Sequence, residues 1–138
     1  MKNESVILEL QRATHATLHL LATELVDLDL TSSEINALGN LADGVGRTVS
    51  ELGAAVGTRP ATLTGILDRL ERRGLITRGA RPGDRRAVLI ELTADGEQTA
   101  ALIRRTLSDL EQRALAGLSP VAVDGARAVL RALTEAGR

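Results

Sequence analysis

The sequence predicts a mainly α fold that contains one small β-hairpin and has a long helix at each end. Apolar residues near the termini recur at the 3.6-residue helical period, as Leu18, Leu21 and Leu25 do. Helix-starting and helix-stopping residues divide the middle of the chain into short helices. The pair Pro82-Gly83 separates two short apolar stretches, which is typical of a tight hairpin turn.

Length and composition narrow the possible classes of protein. The 138 residues suit a single domain that covers 1–138 and has room for a real core. The chain has no cysteine, which excludes disulfides and thiolate chemistry, and it has no aromatic residue on which a single-stranded base could stack. The longest uncharged run, residues 13–23, is too short to span a membrane. We therefore expect a cytoplasmic protein without a membrane partner.

The first half of the chain predicts three helices and one short strand. A helix is expected over residues 5–28. The pattern Thr31-x-x-Glu34 is a capping box that opens a second helix, which ends near Gly44. A short strand is predicted over residues 47–49, and Ser50 is then expected to cap a brief helix that ends at Gly57.

The second half predicts a helix, a hairpin and two further helices. Pro60 favours the first helical position of a helix over residues 60–73, which Gly74 ends. Strands are expected over 75–79 and 87–92, joined by a type II turn at residues 81–84. A long helix capped by Thr93 follows and ends near Gly117, and Ser119-Pro120 opens the last helix.

Two short helices followed directly by a hairpin are the arrangement of a winged helix-turn-helix. We expect residues 31–97 to form this winged module, which would bind DNA. The helices of residues 1–30 and 98–138 have aliphatic stripes too long for so small a module to cover. Because large exposed apolar patches are rare on monomers, these stripes predict dimerisation helices and a homodimer.

Charge is segregated along the chain although the net charge is only −1. Residues 59–86 hold eight arginines and three acidic residues, a net charge of +5, which leaves −6 for the rest. One strongly basic segment favours a polyanionic partner, and nucleic acid is the usual one. The alternative is a basic surface that water alone solvates.

The predicted helix over residues 60–73 has two different faces. Its apolar face points to the core and consists of Leu63, Ile66, Leu67 and Leu70. Its outer face is small near the start and cationic near the end, and consists of Ala61, Thr62, Gly65, Arg69 and Arg72. A helix that enters the major groove needs a closely approaching end and flanking phosphate contacts, so we expect this helix to bind DNA. Asp68 and Glu71 are expected to pair with arginines one or four positions along the helix.

The segment SELGAAVGTRPATLTGILDRLERRGLITRGARPGDRRAVLIELTADGE, residues 50–97, resembles the MarR (multiple-antibiotic-resistance regulator) family of winged-helix transcription factors. Its wing matches the family pattern Asp-x-Arg-x5-Leu-Thr at Asp84, Arg86, Leu92 and Thr93. The resemblance implies a homodimer that binds a near-palindromic operator and acts as a repressor released by a small ligand. Two positions depart from the pattern: position 65, often a long polar residue, is glycine, and position 59, often serine, is arginine.

The outward face of the predicted helix and the resemblance together indicate which residues contact DNA. In the recognition helix and its N-cap these are Arg59, Pro60, Ala61, Thr62, Gly65, Arg69 and Arg72. In the wing they are Arg81, Asp84, Arg85 and Arg86. Arg86 would enter the minor groove with its guanidinium oriented by Asp84, and Arg81 and Arg85 would contact the backbone.

Candidate residues for a small-molecule effector lie on the first two predicted helices. The resemblance implies a pocket where the first, second and fifth helices meet the winged module, and His15, His19, Asn36 and Asn40 are candidates to line it. The i, i+4 spacing of the two histidines also fits a metal ion, but there is no third histidine and no cysteine to complete the site. The remaining alternative is that both histidines are ordinary surface or interface residues. We expect no metal and no cofactor.

Two other functional classes compete with a DNA-binding regulator. An enzyme would need a nucleophile with a base or a glycine-rich phosphate loop, and the sequence shows neither, so no catalytic residue is predicted. A winged-helix module used only for protein contacts would have no need of eight arginines in one segment. Binding of duplex DNA and its dependence on salt distinguish these possibilities.

Overall fold

The computed structural model describes residues 5–81 and 83–137, and the side chains at positions 81 and 84–86 lie outside the described part. The elements are α1 (Val6–Glu24), α2 (Ser32–Leu41), β1 (Arg47–Thr48), α3 (Val49–Val56), α4 (Pro60–Arg72), β2 (Ile76–Arg81), β3 (Asp84–Leu92), α5 (Ala94–Leu115) and α6 (Pro120–Ala136). The predicted mainly α fold with a small β-wing is confirmed. A short 3₁₀ turn, Val26–Leu28, replaces the predicted end of the first helix.

The chain forms two compact units, one ending at Thr106 and the other beginning at Leu107, so that α5 has residues in both. The core of the first unit is aliphatic, as the absence of aromatic residues requires. Leu38 of α2, Leu52 of α3, Ile66 of α4 and Ile90 of β3 are among its buried side chains. The winged module therefore builds a continuous core from nearly all its elements.

Helix starts follow the sequence closely with one exception. Thr31 and Glu34 form the predicted capping box, in which the Thr31 hydroxyl accepts from the Glu34 N–H at 3.2 Å. The prediction that Ser50 caps α3 is wrong, because Thr48 is the N-cap. The Thr48 hydroxyl accepts from the Glu51 N–H at 3.1 Å, and the Glu51 carboxylate accepts from the Thr48 N–H at 3.3 Å. A Thr-x-x-Glu pair satisfies two free backbone N–H groups at once, whereas serine alone satisfies one.

The three strands form one antiparallel sheet in the order β1-β3-β2. The hairpin strands extend further towards the turn than predicted, with Arg81 paired to Asp84. Gly83 has φ of +83°, as the third position of a type II turn requires, while Pro82 lies outside the described residues. The register shifts between Ala80 and Arg81, where the partner on β3 changes from Val88 to Asp84, so the pairing is irregular next to the turn.

The base of the hairpin is joined to the start of α5 by backbone contacts. The Thr93 hydroxyl donates to the Gly74 carbonyl at 2.6 Å and accepts from the Gly96 N–H at 3.0 Å. The Thr93 N–H donates to the Leu75 carbonyl at 3.1 Å. A Cβ atom at Gly96 would overlap that same carbonyl oxygen. Gly96 is therefore required for the close approach of α5 to the wing, a role that sequence analysis did not identify.

The terminal helices differ from the module in their burial. None of the residues of α1 is buried, and none of the residues of α6 is buried. On α6 the side chains of Val121 and Leu130 are 81% and 45% exposed. Ser119 caps α6 as predicted, and its hydroxyl accepts from the Ala122 N–H at 3.2 Å. Across the described residues, every helix is too short or too polar to cross a membrane.

Candidate nucleic-acid interface

Helices α3 and α4 form the helix-turn-helix, with a tight turn between them. Gly57 ends α3 in the left-handed conformation, with φ of +73°. Pro60 occupies the first turn of α4, where its missing N–H costs no helical hydrogen bond. The four residues predicted to face the core from α4 are all buried: Leu63, Ile66, Leu67 and Leu70.

The opposite face of α4 is open to solvent and changes character along the helix. Ala61 and Thr62 are exposed at its start, Gly65 is half-buried, and Arg69 and Arg72 are exposed towards its end. No acidic residue lies in the first turn, and the N-cap Arg59 makes no side-chain cap. The first N–H groups of the helix are thus left for an anion, and the dipole favours negative charge there.

An open apolar cavity of about 520 Å³ lies beside the start of this face. Its walls come from α3, the connecting turn and the first turns of α4. The lining residues are Val49, Ser50, Gly53, Ala54, Thr58, Pro60 and Leu63. An apolar cavity between α3 and α4 thus adjoins the start of the outward face.

Arg73 and Arg78 of the basic segment make hydrogen bonds to other elements of the protein. The Arg73 guanidinium donates to the carbonyl oxygens of Leu28 and Asp29, in the connection between α1 and α2. Asp29 has φ of +52°, so this contact holds a left-handed residue in place. Arg73 therefore has a structural partner that explains its charge without DNA.

Arg78 on β2 is the second engaged arginine, and it corrects a prediction. Its Nη2 atom lies 2.8 Å from Asp68 Oδ1 and 2.9 Å from Glu71 Oε1. The expected pairing of these acids with arginines one or four positions along α4 is wrong, because the strand that follows α4 turns back beside the helix. The hydrogen bond from Arg78 lowers the pKa of the Glu71 carboxyl, and its bonds to Glu71 and Asp68 raise the pKa of the Arg78 guanidinium.

Arg69 remains on the outward face, close to a buried carboxylate. Its Nε atom lies 3.9 Å from Oε2 of Glu34, whose side chain is only 5% exposed. A Cβ atom placed at Gly65 would lie 3.6 Å from Nη1 of Arg69, and nothing else would lie within 4 Å. The Arg69 guanidinium is thus folded back over Gly65. The sequence pattern indicated Glu34 only as the acidic residue of a capping box.

The four predicted wing residues lie on both sides of the hairpin turn, at the ends of β2 and β3. The side chains of Arg81, Asp84, Arg85 and Arg86 fall outside the described residues. The hairpin brings their backbones together at one end of the sheet, next to Gly83. Orientation of the Arg86 guanidinium by Asp84 remains a prediction.

The four candidate effector residues lie on α1 and α2. His15 and His19 are exposed on α1, Asn36 is exposed on α2 and Asn40 is half-buried. Asn40 donates to the side-chain oxygen of Asn36 at 2.9 Å and to its carbonyl at 2.8 Å. The cavity beside α4 is lined by other residues. Within the described ranges, no three His, Cys, Asp or Glu side chains come together as a metal site.

Three contacts around the candidate interface were not predicted from the sequence: Glu34 with Arg69, Arg73 with the α1–α2 connection, and Arg78 with two acids of α4. Each joins residues that are distant in sequence or lie on different elements. Local spacing cannot reveal such pairs. The signal present in the sequence was Glu34 itself, an acidic residue beside the apolar Ile35 of a core-forming helix.

Comparison with known proteins gives concordant matches. A model of the MarR family matches residues 28–87. The transcriptional repressor NicR of Pseudomonas putida is 36% identical over 103 residues, which cover 70% of this chain and 63% of NicR. The chain thus spans less than two thirds of the length of that relative.

Solved structures match over nearly the whole chain. The crystal structure of NadR in complex with 4-hydroxyphenylacetate has a TM-score of 0.87 at 25% identity, with 97% of this chain and 95% of NadR covered. MepR of S. aureus in its DNA-binding conformation has a TM-score of 0.88 at 22% identity, with 98% of this chain and all of MepR (100%) covered. The second likeness establishes the fold.

Proposed function

Because the chain belongs to the MarR family, we propose that it is a transcriptional regulator that binds double-stranded DNA. The observation that carries this proposal is the outward face of α4, which is small and uncapped at its start and cationic at its end. Such a face lets the start of the helix approach base edges closely and brings the arginines at its end to the DNA. The proposed contacts are Arg59, Pro60, Ala61, Thr62, Gly65, Arg69 and Arg72.

The hairpin supplies the second DNA contact in this proposal. Arg86 enters the minor groove with Asp84 beside its guanidinium, and Arg81 and Arg85 contact the flanking phosphates. Minor-groove arginines respond mainly to groove width, which is narrow in A·T-rich DNA. The wing therefore adds affinity and a preference for shape, while α4 supplies the base readout.

The regulator acts as a homodimer on a near-palindromic operator. Helices α1 and α6 expose apolar side chains that a second copy would cover, among them Val6, Ile7, Val121, Val129 and Leu130. Exposed apolar surface of this kind marks interaction sites on soluble proteins. Two winged modules related by a two-fold axis match two half-sites of a palindrome.

We propose further that the protein is a repressor released from DNA by a small molecule. Support comes from NicR, which is a repressor, and from NadR, whose structure holds 4-hydroxyphenylacetate. The proposed pocket residues are His15, His19, Asn36 and Asn40, which offer imidazole and amide groups to a polar organic ligand. No enzymatic step is part of the proposal.

The proposal is tested by titrating the full-length protein with fluorescent duplexes selected from a randomised pool. At about 50 mM salt we expect tight binding, and at about 200 mM salt an affinity lower by roughly a thousandfold. Phosphate contacts release counterions from the DNA, and added salt makes that release less favourable. A matched single-stranded oligonucleotide should bind far more weakly, since the chain has no aromatic residue for stacking. Absence of duplex binding at the lower salt would reject DNA binding and favour a protein-interaction module.

A further inference from the structure

The position of the Arg69 side chain is unusual for a cation near the end of a recognition helix. Gly65 lies one turn before Arg69, and a Cβ atom at Gly65 would touch only Nη1 of Arg69, at 3.6 Å. Long helical side chains point towards the helix N-terminus, and the missing side chain at Gly65 leaves space for the guanidinium. The charge of Arg69 is therefore displaced towards the middle of the outward face.

A buried carboxylate faces the guanidinium in this position. Glu34 has a side chain that is 5% exposed, whereas Arg69 is 47% exposed. One carboxylate oxygen of Glu34 accepts from the Thr31 N–H at 3.0 Å, and the other lies 3.9 Å from Arg69 Nε. Because the capping box fixes the first oxygen, the second has a defined direction towards one edge of the guanidinium.

The neighbouring arginines at this end of α4 are oriented differently. Arg72 Nε donates to the Asp68 carbonyl at 3.3 Å, back onto its own helix. Arg73 donates to carbonyl oxygens of the α1–α2 connection. Arg69 combines an exposed guanidinium with a buried acid near its Nε edge, and its Nη1 atom lies over Gly65 on the outward face.

Paired Nη groups held in one orientation suit bidentate recognition of a planar acceptor pair. Guanine presents such a pair, O6 and N7, in the major groove, and the arginine–guanine contact is the commonest specific one. A phosphate contact needs charge but no fixed orientation, and it conveys no sequence information. A guanidinium that a buried acid orients is thus better suited to a base than to the backbone.

We propose that Glu34 is a positioning residue that holds the Arg69 guanidinium over Gly65, so that Arg69 reads a guanine in each operator half-site. This inference rests on the proposed function, because it requires α4 to lie in the major groove. It assigns base readout to Arg69 rather than a phosphate contact. It also links the start of α2 to the recognition helix through one charged pair.

The first test is Glu34→Gln, with affinities measured for a selected operator and for a duplex of scrambled sequence. Glutamine preserves the capping box, and thermal unfolding of the variant verifies that the fold is intact. If Glu34 only added negative charge, its removal would tighten binding to both duplexes. We expect operator binding to weaken about tenfold while scrambled-duplex binding is unchanged or tighter.

The second test pairs Arg69→Ala with operators in which single guanines are replaced by 7-deazaguanine, which lacks the N7 acceptor. For the unmodified protein, replacing one particular guanine in each half-site should lower the operator affinity about tenfold. For Arg69→Ala the same replacement should not lower the operator affinity any further. The matched control is Arg72→Ala, which removes a cation from the same face and should leave the 7-deazaguanine effect intact.

The possible results separate this inference from the proposed function. Equal or tighter operator binding by Glu34→Gln would overturn the positioning role. An unchanged 7-deazaguanine effect in Arg69→Ala would overturn base readout and indicate a phosphate contact. If the unmodified protein binds no duplex at low salt, DNA binding itself is rejected.

Discussion

The winged module, residues 31–97, and the helices α1 and α6 use the same aliphatic residues with opposite results. In the module Leu38, Leu52 and Ile90 are fully buried, with no exposed surface. On the terminal helices side chains such as Val6 and Val121 are 58% and 81% exposed. The module buries most of its core together with Leu25, Ala100 and Ile103 from the adjoining helices, whereas no residue of α1 or α6 is buried.

This difference shows which parts of the fold one chain can complete. Burial of an aliphatic side chain contributes about 1.5–3 kcal/mol, so the module gains most of its stability from its own core. The terminal helices gain little until another surface covers them. Within the proposed function, the module with the buried core presents arginines to DNA, and the exposed terminal helices bring two copies together.

The largest expected effect tests the terminal helices. Replacing Leu130 and Leu133 together by aspartate should abolish the proposed dimer and give unfolded or aggregated protein, because obligate dimers often lack a stable monomer. Sedimentation and circular dichroism measure the outcome. The control is Val45→Asp, a loop residue that is 59% exposed, which should leave the dimer intact. A well-folded monomer of the unmodified protein would show that the terminal helices do not need a second copy.

The next effect tests the joint between the wing and α5. Gly96→Ala should lower the free energy of unfolding by about 3 kcal/mol, since the new methyl group overlaps a backbone oxygen that cannot move freely. Gly65→Ala is the matched control, because its Cβ would make only an ordinary contact; it should raise stability by up to about 1 kcal/mol. Urea unfolding distinguishes them. Equal behaviour of the two variants would show that the close approach at Gly96 is not required.

A smaller effect is expected at the contact between α4 and the α1–α2 connection. Arg73→Ala leaves the carbonyl oxygens of Leu28 and Asp29 without their guanidinium donors. The site is solvent-exposed, so water partly replaces the arginine, and we expect a loss of about 1 kcal/mol. Arg73→Lys should restore only part of it, because one ammonium cannot reproduce the forked donors. An unchanged melting temperature in Arg73→Ala would refute the structural role.

The smallest effect is a pH dependence from the ion pair across α4 and β2. Arg78 lowers the pKa of Glu71, so the pair stabilises the fold above the usual carboxylate pKa and loses this contribution as the pH falls through the lowered pKa. Glu71→Gln should therefore melt lower than the unmodified protein at neutral pH and equally in acid. In an Arg78→Gln background the difference at neutral pH should disappear; its persistence would argue against this pairing.

The sequence allowed prediction of features that depend on local spacing. The buried face of α4, from Leu63 to Leu70, follows from a 3.6-residue period, and the cap at Thr31 follows from a four-residue pattern. Contacts between distant residues could not be obtained this way, as the pairing of Arg78 with Asp68 shows. The observed cap Thr48 and the predicted cap Ser50 are two positions apart, and the reciprocal hydrogen bonds with Glu51 identify Thr48 as the N-cap.

At the candidate interface, too, features set by local spacing were predicted and contacts between elements were not. The outward residues of α4 were predicted from the helical period, and their exposure is confirmed for Ala61, Thr62, Arg69 and Arg72. Which arginine is free for DNA depends on acids supplied by other elements, and this required the fold. The wing contacts and the effector residues remain predictions, because they depend on a bound partner.

In the proposed mode of binding, two copies of the winged module, joined through the terminal helices, bind one duplex. The mass of the complex, measured by sedimentation equilibrium with a selected operator at low salt, tests it most directly. We predict two chains per duplex, and two chains per particle in the protein alone. A stable complex of one chain with one duplex, or no complex at all, would contradict this mode of binding.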